Sequence, residues 1–217
     1  LGADLPSHIV IQAMGVDAEA FARPAPYAPT GKALQLFSCG RLNLVKGHQD
    51  LLAAVVRLRK AGRDVHLEIA GEDDDGGTGF RAVLEAKIIE LGLQDHATLL
   101  GAIDAQTVRR KLWAADIFVL ASWAEPLGVA LMEAMVAGVP TIGTNAGGVA
   151  ELITDGVDGL LARPADADDL AQTIARLADD PALAARLSAA GAARIRTDFH
   201  SARGAEALLK ALDETLG

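Results

Sequence analysis

The sequence predicts an α/β protein built on a mostly parallel sheet of about six strands flanked by helices, and three observations lead there. From Ala33 onward, short apolar runs alternate with longer segments of helical period, the pattern of successive βα units. Glycine-rich turns follow several of those runs. The composition, 51% hydrophobic and 23% charged with a mean hydropathy of +0.25, belongs to a folded globular chain.

The 217 residues suffice for one large domain or two small ones. Residues 1–32 hold Pro6, Pro24, Pro26 and Pro29, and the segment from Arg23 to Gly31 reads as an extended connector leading into a domain over 33–217. The first residue is Leu rather than Met, so the expectation is a piece of a longer chain with a second domain missing. Strands are expected near 34–39, 65–70, 97–100, 117–120, 139–142 and 159–161. Helices are expected near 48–61, 79–91, 105–114, 128–137, 148–153, 167–179, 181–197 and 201–215, the first marked by the recurrence of Leu51-Leu52, Val55-Val56 and Leu58. Asp104 suits a helix cap, Pro181 a first helical position, and Gly62 and Gly92 helix ends. No repeat is visible.

Charge and composition exclude several classes. With 29 acidic and 20 basic residues the net charge is −9, and the pI is near 5.0. No broad basic face exists for nucleic acid or anionic lipid, so any anion site must be local. The uncharged stretch from Ala134 to Ala150 is broken by Gly138, Pro140, Gly143 and Gly147-Gly148 and does not read as a membrane span. The lone Cys39 has no internal disulfide partner and no secretory leader opens the chain, which predicts a cytoplasmic protein. His8, His48, His66, His96 and His200 stand at spacings that build no zinc site, so no metal is expected. No G-x-S-x-G elbow offers a hydrolase nucleophile.

Ligands of open α/β sheets bind beyond the carboxyl ends of the strands, and two turns there are chemically loaded. The first, residues 40–47, runs Gly-Arg-Leu-Asn-Leu-Val-Lys-Gly into a helix and holds Arg41 and Lys46. Two cations at a helix amino terminus suit a diphosphate, although a Gly-bounded turn with two solvated charges reads equally well. The second follows the apolar run at 117–120 and carries Glu125, Gly128 and Glu133. Gly128 lets a phosphate approach the N–H groups of Val129 and Ala130, and Glu133 can accept from two ribose hydroxyls. The plain alternative is a surface turn, but Leu131, Met132 and Met135 mark a buried helix on which a carboxylate needs a partner. A third turn, residues 143–151 with Gly147-Gly148, reads more readily as a tight connection.

Two segments look loaded and are not. Gly77-Thr78-Gly79 with Ala82 matches the dinucleotide pattern G-x-G-x-x-A, but the acidic run Glu72 to Asp75 stands where a pyrophosphate would lie. The same run has the Asp-x-Asp form of a cation site, and a solvated acidic loop explains it better.

Together, Gly-Arg-Leu-x-x-x-Lys-Gly and Glu-Pro-x-Gly-x-x-x-x-Glu-Ala-Met-x-x-Gly-x-Pro resemble the donor-binding, carboxyl-terminal half of retaining glycosyltransferases with the GT-B fold, family 4. Met14-Gly15-Val16-Asp17 with Phe21, Ala70-Gly71-Glu72, Leu100-Gly101, Gly147-Gly148 with Glu151, and Asp155-Gly156 with Gly159 extend the likeness over essentially the whole chain. The resemblance implies a Rossmann-like sheet as one half of a two-domain enzyme that transfers a sugar from a nucleotide-diphosphate sugar to an acceptor hydroxyl. It implies that Arg41 and Lys46 hold the diphosphate, Glu133 the ribose and Glu125 the donor sugar, with Arg41, Lys46 and Glu125 as the catalytic set. Gly40 and the main chain of Gly128, Val129 and Ala130 would meet phosphate or sugar, and Gly101, Ala102 and Ile103 would line the base. It further implies no metal or other cofactor, a nucleotide-sugar and the missing amino-terminal acceptor domain as partners, and membrane contact only through that missing domain. The last helix would cross back towards it with an apolar face partly exposed. Met14 replaces the usual Asn, and Leu127 the usual aromatic. A stand-alone nucleotide-binding module, a nucleotide-sugar epimerase or a phosphorylase of the same fold would show many of the same residues.

Overall fold

The computed structural model describes residues 14–29, 31, 33–73, 77 and 79–216. Pro6 and His8, Asp74 and Asp75 of the acidic run, and Thr78 of the G-x-G-x-x-A segment lie outside the described residues.

Six strands form one parallel sheet: β1 (Leu34–Cys39), β2 (Val65–Ala70), β3 (Ala97–Gly101), β4 (Ile117–Val119), β5 (Thr141–Thr144) and β6 (Leu160–Ala162). Their spatial order is β3-β2-β1-β4-β5-β6. The helices are α1 (Ala18–Phe21), α2 (His48–Lys60), α3 (Phe80–Glu90), α4 (Ala105–Ala114), α5 (Val129–Val136), α6 (Val149–Leu152), α7 (Ala167–Asp179), α8 (Pro181–Asp198) and α9 (Ala202–Leu216). Successive strand residues face opposite sides, so Leu36 packs with Leu51, Leu52 and Val55 of α2 and Ile174 of α7, whereas Phe37 packs with Phe118, Leu131 and Met135 and with Ile195 of α8. Both faces of the sheet are covered. That is why its strands read as apolar runs rather than as alternating patterns.

Cap chemistry fixes several helix starts. Asp104 accepts from Thr107 N at 3.0 Å, and Asp180 accepts from Leu183 N at 2.9 Å just before Pro181. The sequence expectation differs from the structure at two places. β5 begins at Thr141 rather than near 139, because Val139 N donates to Ala134 O at 3.1 Å to finish α5 and Pro140 has no N–H for the ladder. A short helix ahead of the extended segment was not expected: Asp17 accepts from Ala20 N at 3.0 Å and starts α1. Its backbone is tied to α4 by Arg109 donating to Ala20 O at 2.6 Å and by the Trp113 indole donating to Phe21 O at 3.2 Å.

The connector also docks on the junction of α8 and α9. Val16 N donates to Phe199 O at 2.9 Å and Ser201 N to Val16 O at 3.0 Å. A Cβ at Gly15 would stand 2.3 Å from Phe199 O, so only glycine permits this approach. Beyond the junction, α9 leaves Leu208 and Leu209 more than 60% exposed, as expected of its apolar face. Among the described residues, no helix is long and apolar enough to cross a membrane.

Gly47, between the first loaded turn and α2, has φ +67°, and a Cβ there would lie 1.9 Å from Ala121 O, just past β4. Replacing it forces the β1–α2 turn off the sheet. Gly47→Ala is expected to lower stability by about 1–3 kcal/mol in urea unfolding, with Gly62→Ala, at a positive φ in open space, as the control for backbone strain alone.

Candidate functional site

The connections leaving β1 and β4 go to opposite faces of the sheet, which makes the gap between their carboxyl ends the topological switch point. Both loaded turns open there. They enclose a crevice of about 170 Å³ lined by Cys39, Gly40, Arg41, Lys46, Leu120, Glu125, Leu127, Gly128, Val129 and Ala130. Two larger depressions, of about 310 and 400 Å³, lie along the Pro-rich connector, away from the glycine-rich turns.

The first turn is held from below. Gly40 N donates to Ala70 O and Leu42 N to Glu72 O, both at 2.9 Å, and the Leu42 side chain is buried. Asn43 accepts from Lys46 N at 3.2 Å and starts one turn of 3₁₀ helix, Leu44–Lys46. His48, fully buried at the start of α2, reaches back to the Arg41 carbonyl at 3.2 Å. Burial lowers its pKa to about 4, against hydrogen bonds to the Arg41 and Gly40 main chain that favour the charged form and with the nearby Lys46 charge opposing it. The ring is therefore neutral near pH 7, with Nε2–H donating to Arg41, and its Nδ1 has no hydrogen-bond partner.

The second turn grips the first. Trp123 N donates to Val45 O at 2.7 Å, and the Trp123 indole donates to Asp50 Oδ2 at 2.5 Å. Lys46 Nζ lies 2.6 Å from Glu125 Oε2, and Gly128 N donates to Glu125 Oε1 at 3.1 Å. Burial acts to raise the Glu125 pKa, but the hydrogen bond and charge of Lys46 and the N–H groups of Gly128 and Leu127 outweigh it and leave the carboxyl below its usual range. The third turn joins through Gly148 N, which donates to Glu125 O at 2.9 Å. Gly147-Gly148 thus makes the tight connection its sequence suggested.

Glu133 sits one turn into α5, half-buried. Burial pushes its pKa up, and among the described residues its carboxylate has no hydrogen bond or ion pair. Burial, with the charge of Glu133 adding to it, pushes the thiol of the crevice-lining Cys39 up to about 11. α5 itself starts without a side-chain cap, so its first N–H groups face the crevice uncapped. Gly101, Ala102 and Ile103 do not line the crevice. They sit at the carboxyl end of β3, two strands out from β1 and so roughly 10 Å along the same rim. The described acidic residues Glu72 and Asp73 are spent on Arg81, at 2.9 and 3.0 Å, at the start of α3.

The switch point thus brings together Gly40, Arg41, Lys46, Glu125, Gly128, Val129 and Ala130; Glu133, farther along α5, is not among the residues that line the crevice. Sequence reading passed over Trp123, His48 and Cys39. The position of Cys39 as the last residue of β1 was legible; the reach of Trp123 and His48 across the turns was not.

A parallel sheet of this order, covered by helices on both faces and with glycine-rich turns at its switch point, defines an open α/β domain. The model of the family Glycosyl transferases group 1 matches residues 22–194, and the chain belongs to that family. Glycogen synthase of Mycobacterium tuberculosis is 33% identical over 199 residues, covering 89% of this chain and 45% of the relative. The solved C-terminal domain of a glycosyl transferase group 1 family protein from Francisella tularensis matches with a TM-score of 0.72 at 26% identity, covering 86% of this chain and 99% of that domain. HepE of Anabaena, solved in complex with UDP-glucose, shares the fold with a TM-score of 0.82 at 23% identity, covering 92% of this chain and 56% of that one. The chain spans under half the length of the curated relatives it matches.

The buried neutral His48 makes a pH prediction. Its folded pKa is about 4 against an ordinary value of 6.5, so between these values the unfolded chain binds a proton that the folded one does not. Stability is then fully present above pH 6.5 and falls as the pH drops towards 4, by about 2 kcal/mol at pH 5. Chemical denaturation from pH 7 to 5 is expected to show a shallower decline in His48→Gln than in the parent protein.

Proposed function

We propose that this domain binds a nucleoside-diphosphate sugar across the switch-point crevice and presents it for transfer to an acceptor hydroxyl, with retention of anomeric configuration and without a metal. One observation carries the reading: Arg41, Lys46 and the uncapped start of α5 line one crevice. Membership of the glycosyltransferase family supports it.

Each group has a task its geometry permits. Lys46 has three N–H donors and gives one to Glu125, which aims the ammonium and leaves two for phosphate oxygens. Arg41, exposed on the same lip, supplies a planar fork for a second oxygen. Negative charge building on the departing diphosphate is met by these cations and the N–H groups of Val129 and Ala130. Glu133 takes the ribose diol, which satisfies a half-buried carboxylate otherwise without a partner. Glu125 keeps lone pairs beyond those used by Lys46 and Gly128 and reaches the sugar. Gly101, Ala102 and Ile103 stand at the distance along the rim where the base of an extended nucleotide would rest.

The acceptor needs an opposite wall that holds its hydroxyl against the anomeric carbon, and such positioning supplies roughly 7–11 kcal/mol of a barrier. We assign that wall to an amino-terminal acceptor domain in the parent protein, a reading supported by the chain's coverage of under half of its relatives. The domain by itself is expected to bind donor and to give no acceptor-dependent product from radiolabelled nucleotide sugar.

Calorimetry with UDP, GDP, ADP and their glucose derivatives tests the binding step, UDP-glucose first because the Anabaena protein was solved with it. Lys46→Ala and Arg41→Ala are each expected to weaken diphosphate binding by about 1.5–3 kcal/mol while leaving any binding of the bare nucleoside unchanged. Absence of binding by every nucleotide at millimolar concentration would overturn the reading.

A further inference from the structure

The amino-terminal ends of β2 and β3, at the far end of the sheet from the crevice, bring together three side chains with no task in the proposed reaction. Asp64 immediately precedes β2 and His66 is its second residue, and the extended chain between them turns both side chains to one side, where they meet. In the parallel pairing of β2 with β3, Leu67 stands beside Ala97, which sets His66 beside His96 on that same face. The carboxylate and the two imidazoles therefore each offer a ligand atom within 4.8 Å of the others. His66 Nε2 lies 3.6 Å from Asp64 Oδ1, and the two rings have centroids 5.4 Å apart. The backbones are pinned, because Asp64 O accepts from Leu34 N at 2.9 Å and His96 O from Leu67 N at 2.8 Å. Only side-chain rotation separates this arrangement from a closed site.

We propose that Asp64, His66 and His96 bind one divalent transition cation of the zinc class, with water completing the coordination. Two nitrogens and one carboxylate suit zinc, nickel or copper; magnesium and calcium prefer all-oxygen shells. Zinc ligands lie about 2.0–2.2 Å from the metal, which puts tetrahedral neighbours roughly 3.3 Å apart. The Asp64–His66 pair is already close to that spacing. The side chains of Asp64 and His66 are 62% and 43% exposed, so a cation enters without opening the core.

Arg59, in the last turn of α2, opposes the site. Its guanidinium donates to His96 Nδ1. Arginine has no acceptor, so this bond keeps the His96 proton on Nε2, and a cation takes the ring only when Arg59 turns away. Once bound, the metal joins the starts of β2 and β3, the latter being the edge strand, together with the loops that precede them. Binding to the folded form alone raises stability by mass action.

Untagged protein, stripped with a chelator, is titrated with zinc chloride by calorimetry and melted with and without zinc. One saturable site and a raised Tm are expected, with no response to magnesium chloride. His66→Ala and His96→Ala should each weaken zinc binding about tenfold or more, and Arg59→Ala should tighten it. Circular dichroism of the metal-free variants checks that they fold. An undiminished zinc response in the His66→Ala/His96→Ala double variant would place zinc elsewhere, for instance at Cys39, and overturn the proposal. So would the absence of saturable binding at submillimolar zinc, or an unchanged affinity in Arg59→Ala.

Discussion

Glu125 joins three turns, and the crevice exists because it does. One carboxylate oxygen holds Lys46 of the first turn, the other takes Gly128 N of its own turn, and its main-chain carbonyl takes Gly148 N of the third. The side chain is 10% exposed, and its ionised form is favoured by Lys46 and the N–H groups of Gly128 and Leu127. Removing Lys46 would leave a buried carboxylate short of its cation, whereas removing both would leave a gap between β1 and β4. A pair of this kind contributes less to net stability than to geometry, since the desolvation of both ions offsets most of their attraction. What it fixes is the spacing of two turns that leave different strands.

That spacing answers a difficulty set by the whole chain. A net charge of −9 repels anions at long range, and only short-range donors in fixed positions can overcome it. Contacts beyond that ion pair hold the same turn. Trp123 bonds Val45 and Asp50, and the neutral ring of His48 bonds the Arg41 carbonyl, so the cation-bearing turn is shaped from both flanks before any ligand arrives. A charged imidazole in the place of His48 would add repulsion to Lys46 and lose the dry packing around α2. Its depressed pKa is thus a consequence of the same burial that makes it a useful strut.

Much of this was legible in the sequence, for reasons that differ by residue. Strands buried on both faces announce themselves as apolar runs, and Asp104, Asp180 and Pro181 mark helix starts by local chemistry alone. Arg41, Lys46 and Glu125 were readable because strand-to-helix turns fall on the ligand side of any open α/β sheet. The start of β5 was misplaced because Val139 is apolar but its N–H belongs to the end of α5. The pairing of Lys46 with Glu125, the reach of Trp123 and the meeting of His66 with His96 depend on which strands lie side by side. Spacing along the chain carries no record of strand order, which is why histidines that look scattered can share one face.

The two ends of the sheet pose opposite physical problems. At the carboxyl ends, Arg41 and Val129 are exposed and the crevice is open to water, so a ligand's charge on the open lip would be met at high dielectric. In the reaction proposed for it, the same groups would gain strength without moving if a second wall excluded water, because Coulomb energy scales inversely with the dielectric constant. On that proposal the crevice would be shaped in advance and weak until covered, so that a nucleotide would leave it when open and be held when closed, with Glu125 keeping Lys46 in the same place in both.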